Sequence, residues 1–402
     1  MSGALTPTDE AGIIAAVADA HATGTPLEIT GAGSKGCMLR PVQAARGLSL
    51  AACAGITLHS PQELVIAAKA GTTLADIAAA AAAHQQHIIA EPPDLSGLLG
   101  SAAAQTLGGV VATNLSGPRR VAWGATRDHV LGVRAVNGSG ELIRSGGRVL
   151  KNVTGLDLCK LLSGSHGTLA VLTGITLKLL PAPERSGSLA LAGLDPVRGV
   201  AALSAALGSP YGISAAAYLP AAAAAQVPAL AWLGGPVTLV RIEDFAASVA
   251  YRTAKLRGDL APFGAAELLD DGASRAVWQA VRDAVPLHGE AGAIWRVSVR
   301  PSAGPAVAAA VTAAFGARWF MDWGGGLIWI AGPATTAAHD AVVAAAQAGG
   351  GTWMLLRAPD SLRAAVAVIP AEVPALARIT AAVKAAFDPK GILNPGRMYA
   401  GV

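Results

Sequence analysis

The chain has 402 residues, 52% of them hydrophobic and 14% charged, with a formal net charge of +4. A mean hydropathy of +0.47 suggests a membrane protein, but alanine rather than leucine sets that value, and prolines at 210, 220, 228 and 236 cut the longest uncharged stretch into pieces too short to span a bilayer. The charge is mild and no basic stripe is interleaved with aromatics, which argues against nucleic acid as a partner.

Cys37, Cys53 and Cys159 lie far apart with no C-x-x-C, so neither iron–sulfur ligation nor a disulfide framework is supported. The first residues carry no basic and apolar export pattern, and a cytoplasmic location is expected.

Asp9 to Ala22 reads as a helix with Thr8 as its cap and Ile13, Ile14 and Val17 on its apolar face. Pro26 to Thr30 reads as a strand running into Gly31-Ala32-Gly33-Ser34-Lys35-Gly36, a literal G-x-G-x-x-G. The Rossmann fingerprint needs a helix opening at the motif and an acid about 20 residues on. Here Pro41 follows closely and residues 48–56 carry no acid. A loop whose backbone N–H groups hold a diphosphate is the better reading.

Short strands are expected within 47–58 and 64–69, then a helix from Leu74 to His84 capped by Thr73. Glu91-Pro92-Pro93-Asp94 reads as a rigid turn. His84 and His87 are spaced for a metal, but no carboxylate or cysteine cluster completes a site, so no metal is expected.

Gly108-Gly109 precedes a short strand-like run, and a turn follows at Asn114-Leu115-Ser116-Gly117-Pro118. Two apolar runs meet at Asn137-Gly138, a hairpin signal. A Gly/Ser/Thr loop at 163–168 leads into alternating Leu169, Val171, Ile175 and Leu177. Three glycine clusters beside strand-like runs point to a nucleotide-type ligand. Residues 119–160 hold eight Lys/Arg against three acids, a local net of +5, which favours a phosphate ligand or an acidic partner.

The order G-A-G-S at 31–34, A-G-T-T-L-A-D-I at 70–77, T-L-G-G-V-V-A-T-N from Thr106, T-R-D-H-V-L-G from Thr126, K-N-V-T-G-L-D-L from Lys151 and S-G-S-H-G-T from Ser163 resembles the vanillyl-alcohol-oxidase-type flavoproteins. The ending from Phe387 to Met398 is also typical of that group. Within it the chain is most similar to the FAD-binding E subunits of bacterial glycolate oxidases.

The resemblance implies an α+β fold: a two-part PCMH-type FAD-binding domain over 1–182, an α+β cap over 185–355, and a segment over 356–402 that returns to the FAD domain. It implies FAD contacts from Gly31, Ala32, Gly33, Ser34 and Lys35. Further contacts are implied from Leu107, Gly108, Gly109, Ala112, Thr113, Asn114, Ser116 and Gly117. Ser165, Gly167, Thr168, Val171, Ile175 and Asn394 complete the set. Some relatives carry a flavin-linked histidine in the first loop; Ser34 and Lys35 stand there here, so the flavin should be non-covalent. For His166, a hydrogen bond to the cofactor and a purely local role both stay open.

Leu180 to Pro183 looks like a linker. Beyond it, strand-like runs at Thr238–Ile242, Ala293–Val299 and Gly326–Ile330 alternate with expected helices at Ala261–Leu269 and Ala306–Ala314. Seven of the eight tryptophans fall in this part and suit core packing or an interface. Related 2-hydroxy-acid dehydrogenases carry H-x-G-D-G-N-x-H in the cap; His288 and His339 here are isolated, and no catalytic base is assigned. Arg296, Arg300, Arg318 and Arg357 could hold a carboxylate.

The resemblance thus implies an FAD subunit of a complex oxidising glycolate or a related 2-hydroxy acid, beside a catalytic flavoprotein subunit and an iron–sulfur subunit. Contact with a membrane would be peripheral and made through the complex. The alternatives are a self-sufficient dehydrogenase of the same fold and a scaffold subunit that has lost its flavin.

Overall fold

The computed structural model describes residues 2–147 and 155–401. Arg148, Lys151 and the K-N-V-T part of the fifth motif lie outside the described residues. Among those described, no helix is long and apolar enough to cross a membrane.

The chain opens with β1 (Ser2–Leu5), a helix over Glu10–Thr23, β2 (Leu27–Thr30) and β3 (Arg46–Ser49). These strands form a parallel sheet in the order β1-β3-β2. The helix is capped by Asp9, not Thr8: the Asp9 carboxylate accepts the Gly12 N–H at 2.8 Å. The structure extends β2 sideways from the far end of the chain. Leu27 N–H donates to Ile392 O and Asn394 N–H to Leu27 O.

A second, antiparallel sheet contains β4 (Ile56–Ser60), β5 (Val65–Lys69), β6 (Gln86–Ile88), β7 (Val130–Asn137), β8 (Leu142–Gly146) and β9 (Ala170–Pro181). Its order is β4-β5-β9-β7-β8, with β6 also on β9. The β7–β8 hairpin forms as expected, but over a longer turn. The Asn137 side chain accepts from the N–H groups of Ser139 and Glu141, and the left-handed residue is Gly140 (φ 81°). Leu180 and Pro181 are not linker: they pair with His87 and Gln86 across β6–β9.

The run after Gly108-Gly109 is helical, not extended. A helix spans Leu107–Thr113, with the Thr106 hydroxyl accepting the Gly109 N–H at 3.3 Å. The cap outweighs the β preference of Val110 and Val111, whose side chains are buried.

The third sheet has eight antiparallel strands: β10 (Arg185–Ala192), β11 (Ile213–Leu219), β12 (Val237–Asp244), β13 (Ala266–Leu269), β14 (Ala293–Ser298), β15 (Arg318–Asp322), β16 (Leu327–Gly332) and β17 (Thr352–Arg357). Their order is β13-β10-β12-β11-β15-β16-β14-β17. No helix forms over 261–269: residues 261–263 are a turn and Ala266–Leu269 are β13, which pairs with β10 from Leu269↔Ser188 to Ala266↔Leu191. Helix propensity gave way to an open sheet edge beside it.

Both faces of this sheet are covered. Period-two alternation sends Ile328 and Ile330 to a core beneath the helices Gly304–Phe315 and Thr336–Ala348, and Leu327 and Trp329 to the opposite face. That opposite face meets Met38, Leu95, Leu98, Leu99 and Leu115 from the first half of the chain. The same alternation aims Arg241 and Glu243, two and four residues beyond Leu239, toward the first half of the chain.

Candidate functional site

A glycine-lined cleft opens where the first sheet, the Leu107–Thr113 helix, the 163–168 loop and the C-terminal segment converge. From the first loop it takes Gly31, Ala32, Gly33, Ser34 and Lys35; from the helix it takes Gly108, Gly109, Ala112 and Thr113; Gly167 and Asn394 complete the walls. These came from three separate sequence motifs and the chain's ending.

Close approach explains the glycines at the narrowest point. A Cβ on Gly31 would sit 2.2 Å from Thr106 Oγ1, so only glycine lets the loop lie against the helix cap. Gly33 has φ +87°, a left-handed turn of the kind that points successive N–H groups to one side. Among the described residues, the N–H groups of Ala32, Gly33, Ser34 and Lys35 find no protein acceptor. A row of open donors beside a cleft is suited to an anion.

Asn394 holds this arrangement together. Its Oδ1 accepts the Ile29 N–H at 2.7 Å, and its Nδ2 donates to His166 O at 2.8 Å. One side chain thus ties β2 to the 163–168 loop. Lys384 braces the other side: its buried Nζ donates to Thr168 O, Leu393 O and Asp388 Oδ2 at 2.7, 3.1 and 2.7 Å.

The structure places the remaining expected contact residues away from the cleft walls. Leu107, Val171 and Ile175 are buried in the core of this half. Ser165 donates to Leu162 O, and Thr168 donates to Ser165 O. Asn114 ends the helix in the left-handed region, and its Oδ1 accepts the Arg127 N–H. Ser116 pairs with the Thr126 hydroxyl. Gly117 lies against Glu91 O, and its carbonyl accepts Trp323 Nε1–H at 3.1 Å. These residues sit one shell back or at the junction with the eight-stranded sheet.

Other lining residues were missed by the sequence reading. Thr106 is one; a Thr preceding a Leu-Gly-Gly helix start was its available signal. Arg397 is another, donating to Lys35 O, Gly36 O and Arg40 O at 2.9, 3.1 and 3.4 Å. His166 lines the cleft with φ 52°; burial, with Arg397 nearby, pushes its imidazole down to about 3. It is therefore neutral at physiological pH.

At the junction with the cap sheet, two arginines and two glutamates form a buried quartet. Arg241 gives two hydrogen bonds to Glu91 at 3.0 and 2.9 Å, and Arg119 gives two to Glu243 at 3.0 and 2.7 Å. Burial works to raise Glu243, but Arg241 and Arg119 outweigh it and hold the carboxyl at about 2. The turn at Glu91 to Asp94 is thus an electrostatic joint, and nothing local in the sequence announces that.

A second polar cluster lies nearby. The Arg120 and Arg296 guanidiniums lie 4.6 and 5.6 Å from the Trp323 ring centroid. Asp322 beside them is 2% exposed, and burial raises its carboxyl to about 7 against the Trp323 N–H it accepts. Burial also lowers Arg296, to about 10, and its Nε has no partner among the described residues. His288 and His339 take structural roles instead: His288 sits against Gly97, and His339 Nδ1 accepts the Trp295 Nε1–H at 3.2 Å.

The cleft suits a dinucleotide flavin: glycine walls, open N–H donors, and lysine and arginine side chains at one end. A family model described as an FAD binding domain matches residues 1–146. The chain is 42% identical over 98 residues to "Glycolate oxidase subunit GlcD" of Bacillus subtilis, covering 24% of this chain and 20% of that one. Among solved structures, p-cresol methylhydroxylase superposes with a TM-score of 0.73 over 98% of this chain and 88% of that one, at 14% identity. An alkyldihydroxyacetonephosphate synthase gives 0.69 over 97% and 75%, at 15% identity. The expected PCMH-type architecture is therefore the observed one. "Glycolate oxidase subunit GlcE" of Escherichia coli K12 is 34% identical over 377 residues, spanning 94% of this chain and 93% of that one. With that identity sustained across nearly the whole of both chains, this protein belongs to the GlcE family of glycolate oxidase subunits.

Proposed function

We propose that the chain is the FAD-holding subunit of a complex that oxidises glycolate or a related 2-hydroxy acid and passes the electrons to partner subunits. The observation that carries the reading is the convergence of three glycine motifs and Asn394 on one cleft with open N–H donors. The residues that would hold FAD are Gly31 to Lys35, Gly108, Gly109, Ala112, Thr113, Gly167 and Asn394. Bound FAD supplies a two-electron acceptor for the hydrogen on the hydroxyl-bearing carbon. In this reading residues 1–182 form the flavin domain, 185–355 the cap, and 356–402 the returning segment.

The flavin is held without a covalent bond. Ser34 and Lys35 occupy the loop position in question, and neither is a histidine. Denaturation with acid should release yellow flavin into the supernatant; flavin that precipitates with the protein would overturn this.

The names of the GlcE and GlcD relatives include the word subunit, which supports a multi-subunit complex; the partners in this proposal are a catalytic flavoprotein subunit and an iron–sulfur subunit. The three cysteines are free, in keeping with a reducing, cytoplasmic setting. An accessory role in electron transfer is supported by the cap. Its two histidines are taken up by structural contacts, and its inner face is filled by Leu98, Leu99 and Leu115. Hydride abstraction needs a base within hydrogen-bond reach of the hydroxyl, typically worth about 10²–10⁴-fold.

The alternative is a self-sufficient dehydrogenase, and one observation favours it. Arg120, Arg296 and Asp322 are cations and a carboxyl group held apart at the junction, able to receive a carboxylate and a proton. Anaerobic mixing of the FAD-loaded chain with glycolate separates the two readings. Slow or absent bleaching is expected; bleaching at the rate of the whole complex would establish the alternative.

A further inference from the structure

The helix Pro374–Phe387 lies on the outside of the molecule, and the surface it shows to water is apolar. Val373 at its N-cap, Leu376 and Ile379 are 60, 53 and 60% exposed. They follow at three-residue spacing and so share one side of the helix. Ala375, Ala377, Ala381 and Ala382 are exposed around them. The helix carries two charged residues: Arg378 is exposed and Lys384 is buried.

The helix is moored at its C-terminal end. Lys384 Nζ donates to Thr168 O and Leu393 O, the Phe387 carbonyl accepts the Gly138 N–H at 2.8 Å, and Phe387 packs on the core of the first half of the chain. Among the described residues, its first two turns make no hydrogen bond to another element; Thr380 donates to Glu372, just ahead of the helix, at 2.9 Å. A surface helix turns charged and polar side chains to water, and one that is apolar on its outer side is covered in the working molecule.

Charge and composition choose the covering. Two copies of this chain paired across a two-fold axis at mid-helix would set Arg378 against Arg378, and the helix has no acid to offset them. Helices that lie in a membrane surface carry a face rich in Lys and Arg opposite Trp, Phe or Leu. Here one cation is exposed, and the one aromatic, Phe387, is turned into the core. A groove on a different protein fits: the helix satisfies its own backbone, its apolar anchors recur every three residues, and an arginine stands at their rim to meet a carboxylate.

We propose that the outer side of Pro374–Phe387 is the docking surface for a different subunit of the complex, whose contact region is an apolar groove with a carboxylate placed to receive Arg378. The inference deepens the subunit reading above and rests on it, but not on the flavin. Because Lys384 also holds Thr168 O, a subunit docked on this helix sits beside the 163–168 wall of the cleft.

The test uses the full chain, tagged and co-expressed with the flavoprotein and iron–sulfur subunits of its complex. Leu376→Glu with Ile379→Glu should lower the yield of co-purified partner about 10- to 100-fold. The flavin content and melting temperature of the chain should stay those of wild type. Arg378→Glu should weaken association, and exchanging the facing carboxylate of the partner for lysine should restore it. Ile379→p-benzoylphenylalanine, irradiated in the complex, should cross-link to an apolar segment of one of the two partners and so locate that carboxylate. Undiminished partner yield from the double variant would overturn the inference and leave the subunit reading standing. Cross-links confined to a second copy of this chain, or to lipid, would do the same. A wild-type chain that emerges alone from the co-expression would remove the subunit reading and this inference together.

Discussion

Arg241, on the cap sheet, meets Glu91, in the turn after β6, through two hydrogen bonds of 3.0 and 2.9 Å. Arg241 also lies 3.2 Å from Glu243 and 5.0 Å from the Trp278 ring centroid. The contact therefore ties the cap to the flavin-binding half through a desolvated charge pair. Removing one partner leaves the buried quartet with an unbalanced charge.

Glu91→Gln should destabilise the protein by about 3 kcal/mol in urea unfolding, because it leaves the buried Arg241 and Arg119 with Glu243 as their one remaining carboxylate. Replacing both by apolar residues, Glu91→Leu with Arg241→Met, should cost less than the single change. Equal losses in the single and double variants would show that the pair contributes by shape alone.

Acid should loosen the same junction. The Glu243 carboxyl is held at about 2 in the folded protein against 4.5 for an ordinary glutamate. Its folded value is depressed, so its contribution is complete above pH 4.5 and is lost as pH falls from 4.5 toward 2. In Glu243→Gln that part of the acid-unfolding curve should flatten. An unchanged curve between pH 4.5 and 2 would refute the assignment.

Gly167→Val should fold but hold flavin poorly. Gly167 has φ +71°, and a Cβ there would lie 2.8 Å from Asn394 Nδ2. The strain of a branched residue in this region is on the order of 1–3 kcal/mol. It also displaces the amide that ties β2 to the 163–168 loop. Flavin absorbance per mole of folded protein is the readout, and full retention would count against this placement of the cleft.

Asp322 gives the opposite pH sign. Its carboxyl is raised to about 7 from 3.8. The protonated form is favoured in the folded state, so this contribution is complete below pH 3.8 and is lost as pH rises from 3.8 through 7. Asp322→Asn should therefore raise the melting temperature at pH 8 and leave it nearly unchanged at pH 4. If the variant also abolishes flavin reduction by glycolate, the self-sufficient reading gains its proton acceptor.

Much of the cleft was legible beforehand because its chemistry is local. Gly31 to Gly36 follows a strand, and a loop with two fixed glycines must turn tightly and expose N–H groups. The helix at Leu107 was not legible as a helix. Gly-Gly-Val-Val has poor helix propensity, and the Thr106 cap with burial of Val110 and Val111 reversed it. Residues 261–269 differ the other way: the expected helix is absent, and Ala266–Leu269 are taken up as β13 along the edge that β10 offered.

The sequence by itself determined the elements whose cause lies within a few residues: the glycine turns, the Thr73 cap, the β7–β8 hairpin and the alternating strands. Only the tertiary structure decided which charges meet. Glu91 and Arg241 are 150 positions apart, and Ile29 on β2 and Asn394 are 365 apart. Pairings at that separation depend on how whole sheets stack. The strength of each depends on water being excluded there, and neither condition is written in any short stretch of chain.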